Sequence, residues 1–387
     1  MNGLTVETAH GRVRGVSGGG VRAWKGIPYA RAPVGRLRFR PPEPPEGWSG
    51  VRDASSFGPS AMQRTRSPEM TVSEDCLYLN IWAPPEDGRK KPVMVWIHGG
   101  GFATGSGASP ATHGASFARE GDVVLVTINY RLGPFGFLHL AGAAGGEYAD
   151  SANLGLQDQV AALRWVRENI AAFGGDPDRV TIFGESAGGR SVGLLLTMPS
   201  ARGLFHQAII QSGSLTAFGT ADEASGYAEE MLRHLGVDRG SLSRLESIPA
   251  ERFLDAVDEL RLGVLLGPVP DGRVLPGMPL DLIEAGSSRE IPILIGTNRE
   301  EFRLNYAIES VWKSLDEAGR RERFRKLSEP WWSEVSPYYL ERFRPDLPMD
   351  DRMIALMTFH LFTYSALRLA DIRARQGHPV RLYRFDW

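Results

Sequence analysis

Val180-Thr-Ile-Phe183 runs directly into Gly184-Glu185-Ser186-Ala187-Gly188, and an apolar-periodic stretch around Leu194-Leu-Leu196 follows. A short apolar run, two glycines bracketing a serine and then helical spacing predict a strand, a sharp turn and a helix. In a G-x-S-x-G turn the glycines give the backbone room to reverse and leave the serine at the top edge of a sheet. Five such residues in isolation read equally well as an ordinary turn, because glycine and serine populate loops. The strand before and the helix after weigh against the plain turn. Ser186 is therefore the candidate nucleophile.

The text on either side has a regular alternation. Leu156, Val160, Leu163, Val166 and Ile170 recur every three or four residues, predicting an amphipathic helix that stops at Gly174-Gly175. Leu77–Trp82, Val93–Ile97 and Val123–Ile128 are short apolar runs of the kind that form strands buried on both faces. Ala208–Ser212 and Ile291–Gly296 add strands downstream. Strands alternating with helices predict a mostly parallel central sheet with helices on both faces, an α/β architecture. Near the start, Leu4–Thr8 and Arg12–Val16 flank His10-Gly11 as an antiparallel hairpin, expected at a sheet edge. Residues 41–45, rich in proline, carry the chain as extended loop. The aromatic-rich stretch from Tyr306 to His360 reads as helical, a candidate lid or pocket wall. No repeat or linker divides the text, so one domain over residues 1–387 is expected.

Composition narrows the function. In 387 residues, Lys and Arg total 44 and Asp and Glu 46, a net charge of −2 that offers no basic field for a phosphate backbone. Nucleic acid is not an expected partner. No stretch approaches the ~18 apolar residues of a membrane span, and the first residues carry no signal pattern. Cys76 is the single cysteine, so an intrachain disulfide cannot form and a cytoplasmic location is expected. One cysteine also excludes thiolate-rich zinc sites, and no metal or organic cofactor is implied.

His98-Gly-Gly-Gly-Phe102 follows the run ending Trp96-Ile97. Glycines there let backbone N–H groups approach a substrate oxygen, and such donors stabilise a tetrahedral oxyanion. Gly100 and Gly101 are assigned to this hole, joined by the N–H of Ala187. His98 precedes the glycines and is read as structural rather than as a base.

Together these strings resemble the type-B carboxylesterases, the family of para-nitrobenzyl esterases, liver carboxylesterases and cholinesterases. The resemblance runs nearly end to end and is carried by Gly26–Ala30, Arg38–Pro42, Ser73–Asn80, the glycine loop, Asn129–Gly133, Asn153–Asp158, the Ser186 turn and Asp271-Gly272. It implies an α/β-hydrolase fold and hydrolysis of carboxylic esters through an acyl-enzyme; the apolar and aromatic residues of Arg261–Leu266 and Tyr306–Tyr339, read as pocket walls, point to small or medium acyl esters as substrates. It also implies a Ser-Glu-His triad whose acid lies in a Gly-Thr-Asn-x-Asp/Glu-Glu setting. Gly296-Thr-Asn-Arg-Glu300-Glu301 matches, placing the acid at Glu301; without the resemblance this acidic pair reads as a solvated helix start. Glu185 and Ser212 match positions that the resemblance places in a hydrogen-bond network behind the triad, with ordinary satisfaction of buried polar groups as the alternative. The loop from Ala61 to Val72 lacks the tryptophan that holds quaternary ammonium groups in cholinesterases, which argues against choline esters.

The resemblance places the histidine in a Gly-x-x-His-Gly-like loop shortly after an aromatic strand such as Leu382–Trp387. None of the eight histidines, at positions 10, 98, 113, 139, 206, 234, 360 and 378, has that setting. His360 falls in a helical pattern and His378 in a turn before Pro379. The expectation is a chain lacking the C-terminal elements of the fold, with its last strand left as a sheet edge. The competing reading is a non-catalytic binding module on the same scaffold. Pocket walls are expected from Arg261–Leu266 and from Tyr306–Tyr339.

Overall fold

The computed structural model describes residues 4–386 apart from 66, 217, 264, 309, 329–332, 335–337 and 339–341. Its strands are β1 (Thr5–Thr8), β2 (Gly11–Arg14), β3 (Val16–Gly18), β4 (Val21–Pro28), β5 (Val51–Asp53), β6 (Ser60–Ala61), β7 (Val72–Ser73), β8 (Tyr78–Ala83), β9 (Lys91–Ile97), β10 (Val124–Ile128), β11 (Gly175–Glu185), β12 (Gln207–Gln211), β13 (Ile293–Asn298) and β14 (Val380–Phe385). A nine-stranded sheet has the order β14-β13-β12-β11-β9-β10-β8-β4-β3. Pairing is parallel from β14 through to β10, and β8, β4 and β3 continue it antiparallel. Helices between the parallel strands cover the sheet, as crossover connections require.

The central strands are apolar because both faces are covered. Val93, Val95, Ile97, Val124, Val126, Ile128, Val180, Ile182 and Ile210 are all fully buried, and each such side chain contributes roughly 1.5–3 kcal/mol. The helix Leu154–Asn169 buries Leu156, Val160, Leu163 and Val166 as its spacing predicts. It tightens into a 3-10 turn, Ile170–Phe173, and ends at Gly174, whose φ of 90° closes it. The helix Ala187–Leu195 follows β11 directly.

Three expectations change. The N-terminal hairpin forms, with Thr5 opposite Arg14 and Thr8 opposite Gly11, but with β5 it makes a separate three-stranded sheet. The break falls at Gly15, where a Cβ would lie 2.3 Å from the Ala23 carbonyl oxygen and 2.5 Å from the Trp24 ring. The edge of the large sheet is instead β3. Second, Met349–Thr358, a π-helical turn Phe359–Thr363 and Tyr364–Arg375 follow one another without a break. By length and composition alone this 27-residue helix could cross a bilayer, contrary to the sequence reading. Here it packs on the core through Ala366, Leu369 and Ile372, and the buried Arg373 guanidinium donates to the carbonyls of Ser288, Arg289 and Ile291.

Third, no described residue of the aromatic stretch from Tyr306 to His360 lines the cavity that holds Ser186. Trp312 and Phe324 pack with Phe302, Met353, Ile354 and Met357 in a cluster of their own, which Tyr306 flanks. Tyr339 lies outside the described residues. At the other end of the sheet β14 is an edge strand, with Leu382 47% and Phe385 55% exposed.

Candidate active site

β11 delivers Ser186 at its C-terminal end, between the strand and the helix Ala187–Leu195. Ser186 has φ 54° and ψ −120°, a region that residues with a Cβ rarely occupy and that costs of order 1–3 kcal/mol. The surroundings hold it there. The Ser186 N–H donates to the Gln211 carbonyl across the sheet top at 2.9 Å, and the Ser186 carbonyl accepts from Arg190 N–H at 2.8 Å. Gly188 is obligatory for close approach, since a Cβ would lie 2.0 Å from the Ile97 carbonyl oxygen.

β9 ends at Ile97 and passes into the glycine loop beside this turn. Gly100 has φ 109°, and a Cβ there would lie 2.2 Å from the Thr104 carbonyl oxygen. The Gly100 carbonyl turns inward to accept from the N–H groups of Ala103 and Thr104, both within 3.1 Å. Among the described residues none of the N–H groups of Gly100, Gly101 and Ala187 donates to a backbone acceptor outside its own helix or strand. Gly101, Ala187 and Ser186 line one cavity of about 370 Å³.

His98 does not enter that cavity. Its ring stacks on Tyr130 with centroids 4.4 Å apart, and its Nδ1 lies 2.9 Å from the Gly99 carbonyl oxygen. Burial pushes its pKa down to about 4, so the imidazole is neutral near pH 7. The structural reading of His98 agrees with this geometry.

Glu301 begins the helix that follows β13. Its Oε1 accepts from Ser212 Oγ at 2.6 Å and from Asn298 N–H at 2.6 Å, while Oε2 accepts from Asn298 Nδ2 at 3.1 Å. Glu300 faces elsewhere: Arg303 donates to both its oxygens, at 2.7 and 3.0 Å, and holds its pKa below the usual carboxylate range. Glu301, where the resemblance put the acid, is thus bonded to Ser212 and Asn298, and Glu300 to Arg303.

Glu185 and Ser212 line a second cavity, about 750 Å³, together with Gln211, Thr297, Asn298 and Tyr383. Glu185 is exposed as a whole residue, but its carboxyl lies where loss of water, and then the charge of Glu301, raise its pKa. Ser212 therefore lines both cavities, and its hydroxyl donates to Glu301.

Of the expected walls, Leu265 and Leu266 line the Ser186 cavity; no described residue from 306 to 339 does. Phe102, Val269, Leu361 and Phe362 supply further apolar surface. The π-helical turn brings Leu361 and Phe362 there, a departure from helical period that apolar spacing alone does not signal. Residues overlooked in the sequence are Arg190, Glu223 and Tyr227, which also line this cavity. Arg190 was detectable, because a residue four positions after Ser186 on the same helix returns to the same face. Among the described residues no hydrogen bond joins a histidine to Ser186 or Glu301.

The matching family model, described as the carboxylesterase family, covers residues 2–387. The chain belongs to the carboxylesterase family. The para-nitrobenzyl esterase of Bacillus subtilis (strain 168) is 43% identical over 400 residues, spanning 100% of this chain and 79% of that one. The phenmedipham hydrolase of Pseudarthrobacter oxydans is 38% identical over 406 residues, 98% of this chain and 77% of that one. A Geobacillus stearothermophilus carboxylesterase, solved at pH 6.2, superposes with a TM-score of 0.93 at 51% identity, covering 99% of this chain and 80% of that one. The fold is that of the α/β-hydrolases, and by family the chain is a carboxylic ester hydrolase.

Proposed function

We propose that Ser186 hydrolyses small to medium carboxylic esters through a covalent acyl-enzyme. The observation that carries this reading is the strained Ser186 backbone at the end of β11, opening into a cavity shared with Gly101 and Ala187. Strain at a strand-to-helix turn has a ready purpose when it exposes a nucleophile. Ser186 Oγ attacks the ester carbonyl, and the developing oxyanion is met by the N–H groups of Gly100, Gly101 and Ala187. Donors fixed in place by backbone geometry require no reorganisation as the charge forms.

Glu301 then has the role of holding an imidazolium in orientation. Ser212 and Asn298 fix its carboxylate for that task. The proton acceptor in this mechanism is an imidazole that touches both Ser186 and Glu301, and its contribution is on the order of 10²–10⁴ in rate. Mostly apolar walls suit acyl chains and small aromatic groups.

Fluorophosphonate labelling, paired with p-nitrophenyl acetate turnover, tests the proposal. Wild type and Ser186→Ala are compared, both in this chain and in one continued through a Gly-x-x-His-Gly loop. Labelling and turnover that require Ser186 support the reading. A folded, continued wild type that neither labels nor turns over leaves a binding scaffold as the function.

A further inference from the structure

The helix from Met349 to Arg375 is α-helical except at Phe359-His360-Leu361-Phe362-Thr363, the π-helical turn. All five residues of that turn are only half-buried, whereas Met357 and Thr358 before it and Ser365 and Ala366 after it are buried. The turn thus interrupts an otherwise packed helix with a run that faces open space. That space is the Ser186 cavity, which Leu361 and Phe362 line. Apolar surface left open there forgoes roughly 25 cal/mol per Å² until an apolar group covers it.

A π turn carries one residue more than an α turn, because its hydrogen bonds reach one residue further along the chain. A hydroxyl braces it on either side. Thr358 Oγ1, immediately before the turn, accepts from the Phe302 N–H at 3.1 Å. Ser365 Oγ, just beyond it and fully buried, accepts from the Leu215 N–H at 2.6 Å. Phe302 adjoins Glu301, and Leu215 follows shortly after Ser212, whose hydroxyl donates to Glu301 at 2.6 Å. These contacts close a ring: from Glu301 through Ser212 and Leu215 to Ser365, across the turn, and back through Thr358 and Phe302. The wall that Leu361 and Phe362 form is therefore tied at both ends to the acid of the site.

We propose that the π-helical turn sets the size limit of the Ser186 cavity, with Phe362 as the residue that stops long apolar chains and Thr358 and Ser365 as the positioning residues that hold it in place. This deepens the esterase reading and rests on it. An α-helical turn at the same place carries one residue fewer and bulges less into the cavity. A braced aromatic wall discriminates by length, since a single methylene gained or lost in an apolar pocket changes kcat/KM by about 10- to 200-fold. The preferred esters are those whose group facing the turn is short and apolar; longer chains meet the Phe362 ring.

Two series of esters test this in the chain continued through a Gly-x-x-His-Gly loop. p-Nitrophenyl butanoate against p-nitrophenyl octanoate varies the acyl half, and ethyl butanoate against octyl butanoate varies the alcohol half. The long-to-short ratio of kcat/KM is measured for wild type, Phe362→Leu, Phe362→Ala and Ser365→Ala. The expected result is a ratio that rises about tenfold or more in Phe362→Ala for one series, with Phe362→Leu in between. Ser365→Ala, which loosens one brace, should raise the same ratio by a smaller factor.

A ratio that Phe362→Ala leaves unchanged or lowers in both series overturns the size limit. If Ser365→Ala slows short and long esters alike, the bracing is overturned, because a merely structural hydroxyl moves both together. If the wild type hydrolyses no ester, the esterase reading is what fails, and titration calorimetry with 2-hexanone and 2-decanone, ketones that no serine can hydrolyse, decides the size limit separately. A decanone-to-hexanone affinity ratio that rises about tenfold in Phe362→Ala supports it. An unchanged ratio, or binding of neither ketone, overturns it.

Discussion

Removing Asp158 should cost this protein more stability than most single changes. Arg131 and Asp158 face each other with side chains 3% and 0% exposed. Arg131 donates to Asp158 Oδ2 from its backbone N–H at 3.0 Å and from Nε at 2.8 Å, and to Oδ1 from Nη2 at 2.6 Å. A further bond, from Nη1 to the Arg40 carbonyl at 2.8 Å, completes the cage. In Asp158→Ala the guanidinium stays charged, because arginine does not release its proton, and it stays buried with two donors unmet, while the Arg131 backbone N–H loses its acceptor as well. Breaking one side of a buried pair costs about 3–5 kcal/mol.

Replacing both partners has the opposite logic. Arg131→Met with Asp158→Leu removes the desolvation cost of two charges along with their attraction, so the double variant should return to within about 1 kcal/mol of wild type. Equilibrium urea unfolding, followed by tryptophan fluorescence and far-UV circular dichroism together, measures both if the two transitions coincide. A loss under ~1 kcal/mol in Asp158→Ala would refute the argument, as would a double variant no more stable than the single.

Two more outcomes come from the site itself. The folded-state pKa of His98 lies below the ordinary 6.5, at about 4, because burial disfavours the cation. Its contribution is therefore intact above pH 6.5 and lost as pH falls toward 4, by about 3 kcal/mol in all. Unfolding midpoints from pH 7 to 4 should fall less steeply in His98→Gln than in wild type, and parallel curves would contradict this. Ser212→Ala removes one of the two bonds to Glu301 Oε1. It should lower kcat/KM for p-nitrophenyl acetate about tenfold while changing stability by only ~1 kcal/mol; a stability loss with unaltered kinetics would assign Ser212 a structural role alone.

The local elements were legible because local rules govern them. Strand runs such as Val93–Ile97, the helix ending at Gly174 and the turn around Ser186 each follow from spacing, glycine freedom and apolar burial within a few residues. The preference for Glu301 over Glu300 rested on a matching string, whereas the different partners of the two carboxylates, Ser212 for one and Arg303 for the other, are visible only in the structure.

Long-range pairing was not legible. Several strings stood out in the sequence with no reason attached, and tertiary structure supplies the reasons by joining them to one another. Arg38, from one string, meets Glu74, from another, with two bonds of 2.6 Å. Asn80 bonds to the N–H of Gly26 and to Thr127, Asn153 is tied to Val269 in both directions, and Arg131 is caged by Asp158. The sequence determined the order of strands and helices, the Ser186 turn and the glycine loop, since neighbouring residues suffice for these. Only the tertiary structure decided that the N-terminal hairpin leaves the main sheet, and that Trp312 packs away from the Ser186 cavity while Phe362 enters it. Those outcomes depend on which segments pack against one another in space, and one-dimensional spacing carries no record of such contacts.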